Sequence, residues 1–238
     1  MTDFGGRRAV VTGAASGIGK AVAELLRERG ASVLGTDVAP VDGLQADLAT
    51  AAGRAALVDA SGPCDHLVVA HGVVRPKPIA ETTEEDWDAI LGVNAKATYF
   101  LCQAFGELLA EGGSIVVLSS VSARSAASQE QSVYCASKAA VSSIARSFAY
   151  AYAPRGIRVN AVLPGIVDTP MQERFLDAAA RARGTTPAAL HEARLNLVPL
   201  GRTSPARECA ETILWLLGRA SGYLTGQQIA ADGGLTMY

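Results

Sequence analysis

The sequence is poor in cysteine and in aromatic residues. Its four cysteines are Cys64, Cys102, Cys135 and Cys209. Their spacing matches neither a metal-ligand set nor a redox pair, which favours free thiols in a reducing compartment. Aromatic residues make up 5% of the chain although 49% of it is hydrophobic, so we expect a core built from Ala, Val and Leu. This composition is typical of a packed α/β protein and excludes a disordered one.

The sequence also lacks long runs of like charge and long apolar runs. With 21 basic and 23 acidic residues the net charge is -2, and no run of either sign suggests a surface for nucleic acid or an anionic membrane. No segment approaches the ~20 apolar residues of a membrane span. Residues 1–8 lack the apolar run of a signal peptide. These absences predict a cytoplasmic protein whose partners are small molecules and other copies of itself.

The chain has 238 residues, 24 of them glycine, and contains no internal repeat, low-complexity tract or domain linker. A chain of this length can bury a large core. We therefore expect a single α/β domain over residues 1–238.

A glycine-rich turn follows the first apolar run, residues 9–11. Apolar residues at helical spacing come next, so the pattern predicts strand, turn and helix. The residues of this turn are Gly13, Ser16, Gly17, Ile18 and Gly19. Glycines there let the backbone approach a pyrophosphate, whose charge is favoured by free N–H groups and the helix dipole. The alternative is a tight turn without a ligand.

Residues 31–37 read as the second strand, and the strand ends in Asp37. A carboxylate at this position accepts hydrogen bonds from the adenosine ribose hydroxyls and repels a 2′-phosphate. Neither Ser16 nor Val38 supplies the cation that an NADP site favours, so the pattern predicts NAD as cofactor. The alternative is a solvated strand-end acid. Only nine residues separate Asp37 from Asp47, so the next helix is expected to be a loop, with Asp47 and Leu48 closing the third strand.

Tyr134 and Lys138 lie four residues apart in a predicted helix over residues 133–152, which places them on one helix face. A free tyrosine has a pKa near ~10. A lysine charge ~4 Å away, at an effective dielectric of ~20, favours phenolate by ~4 kcal/mol before desolvation is subtracted. Tyr134 is therefore predicted to exchange a proton with an alcohol near neutral pH. The alternative is an exposed tyrosine beside a solvated lysine.

Three further polar groups end or interrupt apolar elements. Asn94 lies on the apolar stripe of a helix predicted over 83–109, where it is either a structural clamp or an anchor for a relay water. Ser120 ends the strand predicted over 114–120, at the sheet edge where ligands bind, or else caps a turn. His71 lies in the exit turn of the fourth strand, and the strand and its turn together span residues 65–72. We interpret it as an ordinary hydrogen-bonded histidine, and the alternative is a cofactor contact.

Residues 171–200 follow a predicted sixth strand, 157–163, and have an irregular helical pattern interrupted by Gly184 and Pro187. The segment is longer than a connector requires, so we expect two short helices that form a substrate lid. The alternative is an arm that packs against a neighbouring subunit. Residues 209–217 predict a final helix, and residues 226–234 a last short strand and turn.

Taken in order, these motifs resemble the short-chain dehydrogenase/reductase family over essentially the whole chain. The matches are Thr12, Gly13, Gly17, Gly19, Asp47, Leu48, Asn94, Ser120, Tyr134, Lys138, residues 164–169 and residues 232–234. The resemblance implies a doubly wound Rossmann fold with seven parallel strands and helices on both faces. It also implies a bound nicotinamide nucleotide and reversible oxidation of a secondary alcohol.

The resemblance assigns roles to the matching positions. Tyr134 is the acid/base, Ser120 binds the substrate oxygen, Lys138 lowers the tyrosine pKa and holds the nicotinamide ribose, and Asn94 supports a water. The remaining cofactor contacts are expected at Ala70, Gly72, Pro164, Gly165, Val167 and Thr169. No metal is implied.

Two departures from the family pattern stand out. Val69-Ala70-His71-Gly72 replaces the usual Asn-Asn-Ala-Gly, so the amide that ties the strands there is missing. The serine-to-tyrosine spacing is 14 from Ser120 and 12 from Ser122, one more and one fewer than usual. Ser120 is preferred because it is the last residue of its strand.

The substrate is expected to be a secondary alcohol or ketone of the cyclic polyol, sugar, hydroxysteroid or dihydrodiol type. The alternatives are a catalytically idle NAD-binding sensor or scaffold, which needs no acid/base, and an NADPH-dependent 3-oxoacyl reductase, which Asp37 disfavours. The small and apolar surfaces of the helices at 83–109 and 133–152, together with the C-terminal glycines, predict a homotetramer.

Overall fold

The computed structural model describes residues 4–125 and 128–237, so the first three residues of the N-terminal segment lie outside it. Its strands are β1 Arg8–Thr12, β2 Ser32–Asp37, β3 Gly43–Gln45, β4 Cys64–Val69, β5 Leu109–Leu118, β6 Arg158–Pro164, β7 Val167–Asp168, β8 Ser204–Pro205 and β9 Gln228–Ala231. Its α-helices are α1 Gly17–Glu28, α2 Ala51–Ser61, α3 Glu84–Leu91, α4 Ala97–Leu108, α5 Ser132–Tyr152, α6 Pro170–Arg183, α7 Pro187–Leu195 and α8 Ala206–Leu217.

Seven of these strands form one parallel sheet in the order β3-β2-β1-β4-β5-β6-β9, while β7 and β8 pair separately. The chain reverses its direction of winding between β1 and β4. At such a switch point the loops that leave neighbouring strands diverge and open a crevice outside the carboxyl ends. The predicted Rossmann fold with seven parallel strands is confirmed.

Two apolar layers cover the sheet because successive side chains of a strand point to opposite faces. In β5, Val117 packs with residues of α4 and α5, such as Phe105 and Val141. Its neighbour Val116 packs on the other face with residues of α1 and α8, such as Leu214. This alternation explains why the central strands read as continuous apolar runs.

The connection between β2 and β3 contains no helix, as predicted from its short length. The third strand, however, ends at Gln45 and not at Asp47 and Leu48. Asp47 leaves the sheet because its Oδ1 accepts a hydrogen bond from Ala49 N (2.9 Å) before α2. Leu48 is buried in the core beneath that turn.

The helix predicted over residues 83–109 is not a single α-helix. A π-helical segment, Gly92–Lys96, separates α3 from α4 and contains Asn94. A π turn inserts one extra residue into the helical repeat and is frequent at functional sites. The apolar periodicity on both sides hid this insertion from the sequence pattern.

The two short helices predicted within residues 171–200 are present as α6 and α7. Gly184 ends α6 in the left-handed region at φ +63°, which suits glycine, and Pro187 begins α7. Among the described residues, no helix is long and apolar enough to span a membrane.

Candidate active site

A cavity of about 940 Å³ opens at the carboxyl ends of the central strands and continues beneath α6 and α7. It brings together every predicted site residue except Asn94. The predicted residues that line it are Gly13, Ser16, Gly17, Ile18, Gly19, Asp37, Asp47, Leu48, Ala70, Gly72, Ser120, Tyr134, Lys138, Pro164, Gly165, Val167 and Thr169.

The glycine turn between β1 and α1 is shaped by close backbone approaches. Gly13 has φ +68°, and a Cβ there would lie 2.8 Å from His71 N. A Cβ on Gly19 would lie 2.2 Å from Gly13 O. Ser16, at the N-cap of α1, makes no side-chain cap hydrogen bond, and the first turn carries no acid. The N-terminal N–H groups are therefore left without a side-chain acceptor, which suits a pyrophosphate.

Thr169 lies opposite this turn, because a Cβ on Gly17 would come within 3.2 Å of Thr169 Cγ2. The Thr169 hydroxyl caps α6 by accepting a hydrogen bond from Gln172 N (3.3 Å). Gly165 packs so closely on Asp232 that a Cβ would lie 2.8 Å from Asp232 Cα. The exits of β6 and β9 thus close the cavity on the side away from Asp37.

Asp37 holds the loop at the end of the cavity next to β2. Its Oδ2 accepts a hydrogen bond from Ala15 N (3.1 Å), and its Oδ1 accepts one from Ala39 N (3.0 Å). The basic residues that line the cavity are Lys138, Arg174, Arg183 and Arg194. All four belong to α5, α6 or α7, so among the described lining residues no cation comes from the β2 and β3 end.

Tyr134 and Lys138 face the cavity from α5, with Lys138 Nζ 5.7 Å from the centroid of the Tyr134 ring. Lys138 is 5% exposed, and its Nζ donates to Leu118 O (2.7 Å). Burial lowers the pKa of Lys138 to about 8. Burial raises the pKa of Tyr134 to about 12, although a hydrogen bond with Ser120 opposes that rise.

The prediction that Lys138 lowers the pKa of Tyr134 in this structure is therefore wrong. The attraction assumed at the sequence level took no account of desolvation, which disfavours both the phenolate and the ammonium. The lysine ammonium also donates a hydrogen bond to the Leu118 carbonyl.

Of the two candidate serines, Ser120 is the one whose hydroxyl opposes the rise in the pKa of the Tyr134 phenol. Its Oγ also accepts from Ser122 N (3.1 Å), which fixes the turn after β5. The Ser122 hydroxyl instead interacts with the thiol of Cys135. The interaction with the phenol favours Ser120 as the partner of the tyrosine.

Asn94 lies behind the cavity wall, 1% exposed. Its Oδ1 accepts from Val73 N (2.8 Å), and its Nδ2 donates to Val73 O (2.9 Å) and Ser137 Oγ (2.9 Å). The amide is fully used as a clamp between the exit of β4 and α5. A Cβ on Gly72 would come within 3.2 Å of Asn94 Oδ1 and 3.4 Å of Lys138 Nζ. The clamp therefore holds the backbone at Gly72 close to the Lys138 ammonium.

His71 supplies the tie that the missing family amide would have made. Its Nε2 lies 3.0 Å from Val93 O, a pure acceptor, so Nε2 carries the proton. Its Nδ1 then accepts from the Thr12 hydroxyl at 2.8 Å, and Thr12 Oγ1 in turn accepts from Ala70 N (3.0 Å). The neutral imidazole therefore joins β1, the exit of β4 and the π-helical segment, so local support is retained.

This tie predicts an acid-sensitive contribution to stability. Burial lowers the pKa of His71 to about 4, whereas an unfolded histidine titrates near ~6.5. The unfolded state therefore binds more protons between these values, and the contribution is lost as the pH falls from ~6.5 towards 4. His71→Ala should lower the free energy of unfolding by ~1–3 kcal/mol at pH 7, because Val93 O and Thr12 lose their partner.

Urea denaturation of both proteins across that pH range measures the effect. The difference between wild type and variant should shrink as the pH falls, and His66, whose pKa burial also lowers to about 4, remains in both proteins as an internal reference. A difference that stays constant with pH would contradict this role of His71.

Helices α6 and α7 complete the cavity with Met171, Gln172, Phe175, Leu190 and Arg194, whereas His191 and Leu195 do not line it. Sequence reasoning missed Arg174, Arg183 and Arg194. No motif or spacing marks these residues, because a basic side chain on an irregular helix looks the same in sequence whether it faces solvent or a cavity. Among the described residues, no cluster of acidic, histidine and cysteine side chains forms a metal site.

Comparisons with known proteins agree with this geometry. A family model described as enoyl-(acyl carrier protein) reductase matches residues 13–236. A 3-oxoacyl-(acyl-carrier-protein) reductase of Thermotoga maritima is 34% identical, with 98% of each chain covered. A D-threitol dehydrogenase of Mycolicibacterium smegmatis is also 34% identical, over 98% of this chain and 94% of that protein.

Solved structures are similar over the same extent. A short-chain dehydrogenase family protein of Francisella tularensis superimposes with a TM-score of 0.90 at 27% identity, covering 98% of this chain and 99% of that one. A blue fluorescent protein from a metagenomic library, in complex with NADPH, gives a TM-score of 0.87 at 27% identity and the same coverage. The chain belongs to the short-chain dehydrogenase/reductase family, whose members are oxidoreductases of alcohols and ketones that bind a nicotinamide nucleotide.

Proposed function

We propose that the protein is an NAD-dependent dehydrogenase that transfers a hydride between the nicotinamide and the carbinol carbon of a secondary alcohol or ketone. The observation that carries the proposal is one cavity shared by the glycine turn, Asp37, Ser120, Tyr134 and Lys138. It offers a nucleotide cradle at one end and an acid/base at the other. An idle sensor or scaffold has no need of the acid/base end.

In this proposal the side chains handle the proton and the positions of the reactants. The bound nicotinamide nucleotide supplies the hydride donor or acceptor. Tyr134, whose pKa is raised to about 12, holds its proton at neutral pH and donates it to the oxygen of a ketone. In the oxidation direction the phenol must first lose that proton. Ser120 donates a hydrogen bond to the same substrate oxygen and holds it beside the phenol.

The Lys138 ammonium lies beside Gly72 and the Leu118 carbonyl. In this proposal it holds the nicotinamide ribose. Asn94 keeps this wall of the site rigid, and an anchored relay water at Asn94 remains a prediction. Pro164, Gly165, Val167 and Thr169 line the cavity beyond β6, where they would contact the nicotinamide side of the nucleotide.

NAD is the proposed cofactor because Asp37 lies where the adenosine ribose would bind. A carboxylate there accepts from the 2′- and 3′-hydroxyls and repels a 2′-phosphate. The second candidate is an NADPH-dependent 3-oxoacyl reductase. The Thermotoga maritima relative and the NADPH-bound neighbour favour it, whereas Asp37 and the lack of a lining cation among the described residues at that end disfavour it.

A substrate screen tests the proposed function. The protein is incubated with NAD and a panel of cyclic polyols, sugars, hydroxysteroids, dihydrodiols and secondary hydroxy acids, and reduced nicotinamide is followed by its absorbance. A parallel arm offers NADPH with 3-oxoacyl thioesters. We expect reduction of NAD with at least one alcohol of the panel. Turnover confined to the thioester arm would favour the second candidate, and nucleotide binding without turnover in either arm would favour the idle sensor.

We also propose a homotetramer. Aromatic side chains are exposed on α4 and α5, including Tyr99 and Phe100, and Tyr150 is 89% exposed. Exposed aromatic side chains of this kind are enriched in the surfaces that interfaces between subunits bury. A monomeric mass by light scattering at micromolar concentration would contradict this assembly.

A further inference from the structure

The two ends of the cavity carry opposite charge. The carboxylates that line it are Asp37 and Asp47, which follow β2 and β3 at one side of the sheet. Its lid end is lined instead by Arg174, Arg183 and Arg194. The acids of the lid helices, Glu173, Asp177 and Glu192, are not among the lining residues. The substrate end of the cavity is therefore cationic.

One of the three arginines is already neutralised. Arg183 Nη2 lies 2.6 Å from Glu130 Oε2, and its Nε donates to Glu130 Oε1 at 3.0 Å. Glu130 is 3% exposed, and the Arg183 guanidinium beside it lowers its pKa to about 2. This pair ties the end of α6 to the loop that precedes α5, so it serves to anchor the lid.

Arg194 has no such partner. Its Nη1 is buried and makes no hydrogen bond in the described part of the chain, and no described carboxylate lies within 4.0 Å of the guanidinium. Its Cζ lies 4.7 Å from the centroid of the Phe175 ring, which fixes the guanidinium plane without neutralising it. Burial, followed by repulsion from Arg183, lowers the pKa of Arg194 to about 10.

A second hydrogen-bond donor on these two helices also has no acceptor. Gln172 lines the cavity from α6, and its Nε2 is buried without an acceptor among the described residues. A guanidinium whose Nη1 is buried without a partner and a buried amide donor without an acceptor are both costly, and such groups in a native fold require an explanation. A carboxylate supplies what both lack, because it is negatively charged, accepts several hydrogen bonds and pairs with a guanidinium through two parallel bonds.

We propose that Arg194, assisted by Gln172, binds a carboxylate carried by the substrate, so that the enzyme acts on secondary hydroxy acids or keto acids. The inference rests on the proposed function for its reaction, since it names the substrate class of the same site. A neutral polyol or a steroid would leave the Arg194 charge unpaired inside the closed lid. A charged group held there fixes which end of the substrate points away from Tyr134.

Matched pairs of probes that differ in charge test this inference. We use D-gluconate against D-glucitol, and 3-hydroxybutanoate against its methyl ester, with NAD as oxidant. The wild type should show a higher kcat/KM for the acid of at least one pair. Arg194→Gln should lower that kcat/KM by about ten- to a hundred-fold, the range expected for hydrogen bonds to a charged group. The fall in kcat/KM should be much smaller for the neutral member of the pair, and the affinity for NAD should stay near that of the wild type.

Arg181→Gln is the matched control, because Arg181 is an exposed arginine on α6 that does not line the cavity. Arg194→Lys keeps the charge but loses the planar fork, so it should recover part of the preference for the acid. Thermal melting and the affinity for NAD report whether each variant is folded.

Calorimetric binding of the same probes to the complex with reduced nucleotide separates this inference from the proposed reaction. Acids that bind, and lose affinity in Arg194→Gln, support the carboxylate site even if nothing is oxidised, in which case the proposed reaction fails alone. A preference of the wild type for the neutral probes, an equal effect of Arg194→Gln on both members of a pair, or no binding by any acid would overturn the inference. Weakened NAD binding in Arg194→Gln would overturn it as well, because the arginine would then serve the cofactor.

Discussion

Replacing Tyr134 by phenylalanine is expected to lower turnover by at least the ~10²-fold that loss of a general acid/base typically costs. The substitution removes one hydroxyl and keeps the ring that packs beside Lys138. The affinity for the nicotinamide nucleotide should change little, because the glycine turn and Asp37 lie elsewhere in the cavity. Steady-state kinetics on a substrate from the screen, with a separate measurement of nucleotide binding, checks both expectations.

Tyr152→Phe is the matched control because it makes the same chemical change on the same helix. The Tyr152 hydroxyl donates to Cys102 O at 3.1 Å and does not line the cavity. Its loss should leave kcat and KM near their wild-type values and cost at most ~1–3 kcal/mol of stability, since Cys102 O loses one donor. Wild-type turnover in Tyr134→Phe would remove the phenol from the mechanism.

Neutralising Asp37 is expected to reverse or abolish a preference for NAD over NADP. Hydrogen bonds to a charged acceptor contribute ~1.5–3 kcal/mol, so Asp37→Ala should weaken NAD binding about ten- to a hundred-fold. NADP should gain affinity, because its 2′-phosphate no longer meets a negative charge. Dissociation constants for both nucleotides, measured by calorimetry at one ionic strength, give the two changes separately.

Asp37→Asn removes the charge but keeps one amide oxygen, which can accept from one of the two backbone N–H groups, Ala15 N or Ala39 N, that the carboxylate binds. The ratio of its affinities for NAD and NADP should change in the same direction as in Asp37→Ala. Asp42→Asn is the matched control, since Asp42 is exposed, pairs with Arg27 at 3.4 Å and does not line the cavity. A wild-type protein that binds NADP more tightly than NAD would contradict the assignment outright.

Much of the fold follows from local patterns in the sequence. The glycine turn could be predicted because the close backbone approaches at Gly13 and Gly19 leave no space for a side chain, so the sequence has glycine at both positions. Helices α6 and α7 could be predicted because Gly184 ends the first helix and Pro187 begins the second. Tyr134 and Lys138 share a face because a spacing of four residues does so on any α-helix.

The features that could not be predicted from the sequence depend on contacts between distant segments of the chain. The π-helical segment around Asn94 is stabilised by Val73 and Ser137, which lie 21 and 43 residues away along the chain. The shift in the Tyr134 pKa depends on burial, which spacing does not report. The tie made by His71 was likewise hidden, since no local pattern shows that Thr12 and Val93 lie on either side of its ring.

The cationic lid end of the cavity is the clearest example of such a missed feature. Arg183 and Arg194 are both basic residues on short irregular helices, and nothing in their local sequence separates them. Only the fold shows that Glu130 pairs with Arg183 and that no described acid pairs with Arg194. Unpaired charges of this kind therefore have to be found from the positions of charged groups in three dimensions.

Isotope transfer tests the central claim most directly. A substrate from the screen, deuterated at its carbinol carbon, is oxidised by the wild-type protein in ordinary water with NAD present, and the recovered nicotinamide nucleotide is analysed by mass spectrometry. Direct hydride transfer predicts reduced NAD that carries one deuterium from the substrate. Reduced nucleotide without deuterium, or oxidation of the alcohol with no change in the nucleotide, would contradict the account.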